Sequence, residues 1–138
     1  IEDIKKLHGK MIETKTELGT LASKIENKDL LENQNIVKVI TKESLDSSKF
    51  SEAINFIRKL SNLSKNTYHH LGVYCYQFKT LEKLISLNQS QNEIKNKLEQ
   101  LRALDNNIKV NVALANSSPI GVDTKEDFLA LKKIMEYK

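Results

Sequence analysis

Apolar residues recur at helical spacing over the first positions. Ile1, Ile4, Leu7, Met11 and Ile12 form one face and Lys5, Lys6, Lys10 and Glu13 the other, which predicts a helix to about Lys15. Glu17 to Ile25, bounded by polar residues and too short for a second helix, predicts a strand, and Asn27 to Asn33 predicts a single helical turn. The β-branched run Ile36-Val37-Lys38-Val39-Ile40-Thr41 is the strongest strand signal of the first half. Polar Lys42 to Ser51, with Ser47-Ser48 at its middle, reads as a loop or a hairpin tip. The next segment supports two readings. Ala53, Ile54, Ile57 and Leu60 suit a helix, whereas Ile54 and Phe56 flanking Asn55 permit a strand; the local pattern favours the helix.

In the second half, Tyr68-His69-His70-Leu71-Gly72-Val73-Tyr74-Cys75-Tyr76 is aromatic and β-branched and predicts a strand. Leu81, Leu84, Ile85 and Leu87 predict a short helix over Thr80 to Leu87. Ser90 opens another, with Glu93 three residues on as a capping box and an apolar line at Ile94, Leu98, Leu101 and Leu104 that stops at Asn106-Asn107. Ile108 to Leu114 alternates as a half-buried strand does, and Phe128, Leu131 and Met135 predict a last helix, capped by Thr124 with Asp127. Mixed strands and helices of this kind point to one α/β layered domain. Asp123 precedes the last helix on the rim where open α/β sheets bind ligands, so it either assists the cap or ligates a hard cation such as Mg²⁺.

Composition narrows the classes. A length of 138 residues suits one domain, and 39% hydrophobic with 29% charged residues is ordinary for a globular protein. The net charge of +4 comes from lysines spread along the chain, with Arg58 and Arg102 the two arginines and only 6% aromatic residues. Base readout by bidentate arginine and stacking platforms are therefore scarce, and no nucleic-acid partner is expected. Cys75 is the single cysteine, so a reducing compartment is expected, and no apolar run reaches membrane length. The chain begins with Ile1, which suggests processing or a piece of something longer.

The candidate chemistry is sparse. Gly9, Gly19, Gly72 and Gly121 lie too far apart to build a phosphate cradle, and one cysteine with three histidines offers no zinc spacing. Cys75, among large strand residues, reads as core. One of His69 and His70 must point inward by alternation. Arg102 reads as the partner of a surface acid.

Five stretches in register carry a resemblance: Leu18-Gly19-Thr20-Leu21-Ala22, Asn35-Ile36-Val37-Lys38-Val39, His70 to Tyr76, Leu98-Glu99-Gln100-Leu101-Arg102, and Ile120-Gly121-Val122-Asp123-Thr124-Lys125-Glu126-Asp127. Together they resemble the CMP-Kdo synthetases, the 3-deoxy-manno-octulosonate (Kdo) cytidylyltransferases, from about Leu18 to the C-terminus. The resemblance implies a mixed-sheet nucleotidyltransferase fold, Rossmann-like and glycosyltransferase-A-like, with its N-terminal half incomplete. It implies that CTP and Kdo give CMP-Kdo and diphosphate, for lipopolysaccharide biosynthesis in the bacterial cytoplasm, with no membrane partner. By the same resemblance His70, Tyr74, Glu99, Gln100 and Arg58 are sugar-binding residues, Asp123 ligates Mg²⁺, and a homodimer is expected with residues 42–68 as its hairpin or insertion. Arg58 matches the arginine of the family's Tyr-Phe-Ser-Arg strand, which tips Ala53 to Arg58 towards strand. Several departures accompany the match: Asn55-Phe56-Ile57-Arg58 stands in that strand, His69 where the family often has Arg, and Lys125 where it has Pro. The CTP loop and the first metal-binding Asp are not among these residues, so little activity is expected of the chain alone. The alternative is a degenerate remnant that acts only as an interaction or dimerisation module.

Overall fold

A computed structural model describes residues 1–27, 29–60, 64–116, 122 and 124–136. The chain begins with helix α1 (Glu2–Thr14), which buries Leu7 and Met11 and ends at Lys15 in the left-handed conformation, φ 54°. Strand β1 (Leu18–Ser23) is buried along its whole length. A short helix α2 (Asp29–Glu32) leads to β2 (Lys38–Thr41), then β3 (Phe50–Ile57) and the long β4 (Thr67–Tyr76). Helices α3 (Phe78–Ser86), α4 (Gln91–Asn96) and α5 (Leu101–Asp105), strand β5 (Asn111–Leu114) and helix α6 (Lys125–Glu136) complete the order.

The five strands close on themselves in the order β1-β4-β2-β3-β5. All pairings are antiparallel except β1 with β5, which run parallel with Gly19 opposite Asn111 and Ala22 opposite Leu114. This mixed sheet with surrounding helices agrees with the expected α/β class, but its closure replaces the open sheet from which a ligand-bearing rim was argued. Each strand has two neighbours, so none of these strands presents an unpaired edge.

Alternation along the strands separates two cores. Leu18 and Ala22 of β1 join Val39, Phe56, Tyr68, Val110 and Val112, with Leu84 of α3 and Leu101 of α5, in one cluster, whereas Leu21 and Ala113 pack with Leu7 of α1 in another. Gly19 lets α1 lie close: a Cβ there would stand 2.9 Å from both Leu7 Cδ1 and Met11 Sδ.

Two elements depart from the sequence pattern. Ala53 to Ile57 is strand, as the family resemblance implied and the local helical pattern did not, because β3 is paired on both sides and buries Ala53 and Phe56. The single helix expected from Ser90 to Asn106 is two. Lys97 takes the left-handed conformation, φ 53°, its N–H closing back on the Glu93 carbonyl, and the chain restarts as α5 at Leu101. Helix α6 forms behind the predicted cap, with Thr124 and Asp127 bonded reciprocally, yet buries no side chain and leaves Phe128, Leu129 and Met135 exposed.

Candidate sugar-binding site

The site is built on an irregularity in β4. Thr20 of β1 lies opposite Tyr74 and Ala22 opposite His70, so β4 carries extra residues between these pairings, with Gly72 at φ 68°. That backbone region favours glycine, which explains Gly72 at the bend. Residues four apart in a regular strand are separated by about 13 Å. Here the bulge draws the His70 and Tyr74 ring centroids to 5.3 Å, edge to face.

His70 is the histidine that alternation turns inward. It is 6% exposed, packs edge-on against Phe56 at 5.0 Å, and places Nε2 2.9 Å from Thr20 Oγ1. The Thr20 hydroxyl donates its own proton to the Val73 carbonyl at 2.7 Å, so its oxygen accepts from His70 Nε2–H. Burial pulls the imidazole down to about 4, with the neighbouring His69 adding to the effect. His69 is lowered as well, by burial and then by the charge of Lys38. The Lys38 ammonium, itself lowered by burial, donates to the carbonyls of Asn33 at 2.7 Å and Arg58 at 2.6 Å and ties β2 to the end of β3.

Beyond His70 the aromatic row continues, Tyr74 to Tyr76 at 5.9 Å. Both phenols are raised, first by burial; the Glu99 carboxylate contributes to each, and Tyr76 also acts on Tyr74. Glu99 lies in the turn between α4 and α5. Gln100, half-buried, is the N-cap residue of α5 beside it.

Arg102, read from the sequence as a surface pair, is held in a buried one. Its Nε lies 2.8 Å from Glu93 Oε2 and its Nη2 2.5 Å from Oε1, a two-pronged clasp that holds the Glu93 carboxyl down at about 2. Glu93 also completes the predicted capping box, accepting from the Ser90 N–H while Ser90 Oγ accepts from the Glu93 N–H. Arg102 Nη2 reaches Glu99 Oε1 at 3.5 Å as well, so the cap of α4 and the Glu99 carboxylate are linked through one guanidinium. These groups line an open groove with Gln89, Ile94 and Lys97.

His70 and Tyr74 therefore meet ring to ring, while the Glu99 charge acts on Tyr74 and Gln100 follows Glu99 in sequence. Arg58 has a different engagement: its guanidinium donates to the carbonyls of Gln34, Asn96 and Lys97, clasping the end of α4. Asp123 lies outside the described residues. Among those residues no group of three His, Cys, Asp or Glu side chains could hold a metal ion. Thr20 escaped the sequence reading, because one threonine in an apolar strand carries no local signal; only its pairing with β4 reveals it.

Comparison with known proteins shows what the chain is similar to. No protein-family model matches the chain. The 3-deoxy-manno-octulosonate cytidylyltransferase of Bartonella tribocorum is 37% identical over 121 residues, 87% of this chain and 49% of that protein. The protein of the same name from Thermodesulfovibrio yellowstonii is 39% identical over 123 residues, 86% of this chain and 48% of the relative. The chain is a homologue of the 3-deoxy-manno-octulosonate cytidylyltransferases. It spans about half the length of these cytidylyltransferases. A solved structure described as CMP:2-keto-3-deoxy-manno-octonic acid synthetase complexed with CTP superposes with a TM-score of 0.82 at 24% identity, covering 99% of this chain and 56% of that one, which establishes the shared fold. Among the described residues no helix is long and apolar enough to cross a membrane.

Proposed function

We propose that this chain supplies the sugar-binding part of a CMP-Kdo synthetase. In that reaction a Kdo hydroxyl oxygen attacks the α-phosphorus of CTP, the bond to diphosphate breaks, and the hydroxyl proton is released to water. The homology and the pairing of the His70 and Tyr74 rings on one bulged strand support the reading, and that pairing is its main structural support. A polyhydroxylated sugar acid needs acceptors and donors set on a rigid apolar floor. The His70 imidazole, which packs against Phe56, the Tyr74 phenol, the Glu99 carboxylate and the Gln100 amide offer such groups. Arg58 contributes by fixing the end of α4, next to the turn that carries Glu99.

CTP is expected to bind chiefly through sequence of the kind that makes up the remaining half of the relatives. Asp123 is assigned a carboxylate position on Mg²⁺, which when bound neutralises charge on the triphosphate. Lipopolysaccharide biosynthesis in a bacterial cytoplasm is the setting, and a homodimer involving residues 42–68 is the expected assembly.

Calorimetry with Kdo and turnover assays, with and without a supplied CTP-binding polypeptide from a relative, test the reading. Kdo binding by the chain, with CMP-Kdo formed only on complementation, is the expected result. Efficient synthesis by the chain alone would refute its incompleteness. Absence of both binding and complementation would favour a remnant that acts only in assembly.

A further inference from the structure

The polarity of the site depends on a hydrogen bond outside the residues assigned to the sugar. Thr20 is fully buried, and its hydroxyl has one proton. That proton is directed at the Val73 carbonyl, 2.7 Å away in the bulge, where an unpartnered buried carbonyl would be costly. The hydroxyl oxygen can then only accept, and what stands 2.9 Å from it is His70 Nε2. The ring must carry its hydrogen on Nε2, which leaves Nδ1 with a lone pair. Among the described residues no hydrogen bond reaches Nδ1 or the Tyr74 hydroxyl, which leaves both atoms able to bond a ligand.

We infer that Thr20 is a positioning residue: by holding the Val73 carbonyl with its proton and His70 Nε2–H with its oxygen, it fixes His70 as a hydrogen-bond acceptor towards the bound ligand. The ligand half of this statement rests on the sugar-site reading above. The chemistry follows from the lone pair. An acceptor nitrogen takes a hydroxyl of the sugar and repels its carboxylate, so the acid group must lie away from His70. Tyr74, whose phenol keeps its proton, supplies a donor beside that acceptor.

The bulge makes this arrangement possible. In a regular ladder the Val73 carbonyl would be engaged by a backbone N–H or would point to the strand's other neighbour. The extra residues around Gly72 turn it onto a side chain of β1 instead. Thr20 therefore couples the backbone irregularity to the protonation pattern of the ring.

The test is nitrogen-15 NMR of the histidine rings in the chain as it stands, with Thr20→Ser and Thr20→Val. In the unsubstituted protein His70 is expected to show protonated Nε2 and bare Nδ1 at neutral pH. Thr20→Ser should keep that pattern. Thr20→Val, which sets a methyl against Nε2, should move the hydrogen to Nδ1 and exchange the order of the two nitrogen shifts. A role limited to packing would leave the ring signals alike in all three. Bare Nε2 in the unsubstituted protein overturns the inference without any variant, which keeps it falsifiable if Thr20→Val does not fold. Added Kdo should shift Nδ1 towards the hydrogen-bonded range while leaving it unprotonated. Protonation of Nδ1 on Kdo binding overturns the hydroxyl assignment. A fixed tautomer with no response to Kdo supports the Thr20 role and overturns the sugar-site reading.

Discussion

His70 gives the structure a pH dependence whose window and sign can be worked out. The imidazole is 6% exposed and is pulled from 6.5 to about 4 by burial, so the folded protein resists a proton that the unfolded chain accepts. Between those values the unfolded state binds more protons, and stability rises with pH. The contribution is intact above pH 6.5, declines as the pH falls, and levels off below about 4. A shift of that size corresponds to about 3 kcal/mol, at roughly 1.4 kcal/mol per pH unit, a large share of a small domain's stability. The perturbation is acidification from pH 7.5 to 4.5 in the unsubstituted protein and in His70→Gln, whose amide can still donate to Thr20 but does not titrate. Urea unfolding at each pH supplies the free energies, and the ring-proton titration of His70 supplies the folded midpoint. His69 is lowered too, so the same series in His69→Gln separates its share. Equal loss of stability in the unsubstituted and His70→Gln proteins, or a folded His70 midpoint near 6.5, would refute the assignment.

The Glu93–Arg102 clasp acts in a lower window. Because the Glu93 carboxyl is held at about 2, its stabilising contribution is present above its ordinary value of 4.5 and is lost as pH falls towards 2, and the acid limb of an unfolding series should shrink in Glu93→Gln. At neutral pH that substitution leaves Arg102 with only the more distant Glu99. The loss is expected at about 2 kcal/mol, below the usual figure for a broken buried pair because the groove admits water, and a double-mutant cycle with Arg102→Met measures the coupling. Gly19→Ala should destabilise by about 1 kcal/mol in urea unfolding, a modest figure because the Leu7 and Met11 atoms that it meets lie at the ends of side chains that can turn aside. Unchanged stability there would show that α1 is free to lift. Thr124→Val removes the hydroxyl shared with Asp127 and should cost α6 about 1 kcal/mol, read as lost far-ultraviolet helicity; unaltered helicity would mean that the cap does not hold the helix.

Much of this architecture was legible wherever local chemistry and tertiary demand agreed. The Ser90–Glu93 box and the Thr124–Asp127 cap form as their spacing predicts, and the β-branched and aromatic runs become β2 and β4. Legibility failed where a partner distant in sequence decides. Ala53 to Ile57 carries a helical pattern, but its pairing with β2, on a strand whose first residues Phe50 to Glu52 pair with β5, overrides it. Lys97 in the left-handed region breaks the Ser90 helix without the glycine or asparagine that would have announced a stop. Arg102 looked like a surface cation because its partner, Glu93, had been assigned wholly to the cap; one carboxylate serves both. Within the site, His70 and Tyr74 were chosen by resemblance, and the bulge that brings their rings together follows only from the register of β4 on β1.

The ring of strands also has a kinetic consequence. Its parallel seam joins β1, near the start of the chain, to β5, near the end of the described ring, and α1 is tied to the end of β5 by Lys6 Nζ on the Leu114 carbonyl and by the Asn116 N–H on Asp3. Nearly all the intervening chain must be gathered before these pairs can meet, so the entropy of closing the largest loop falls on the step that completes the ring. The hairpin of β2 and β3, by contrast, can form from neighbouring sequence. Substitutions along the seam are therefore expected to speed unfolding while leaving the folding rate nearly unchanged, so that the last pairing made is the first whose loss lets the ring open.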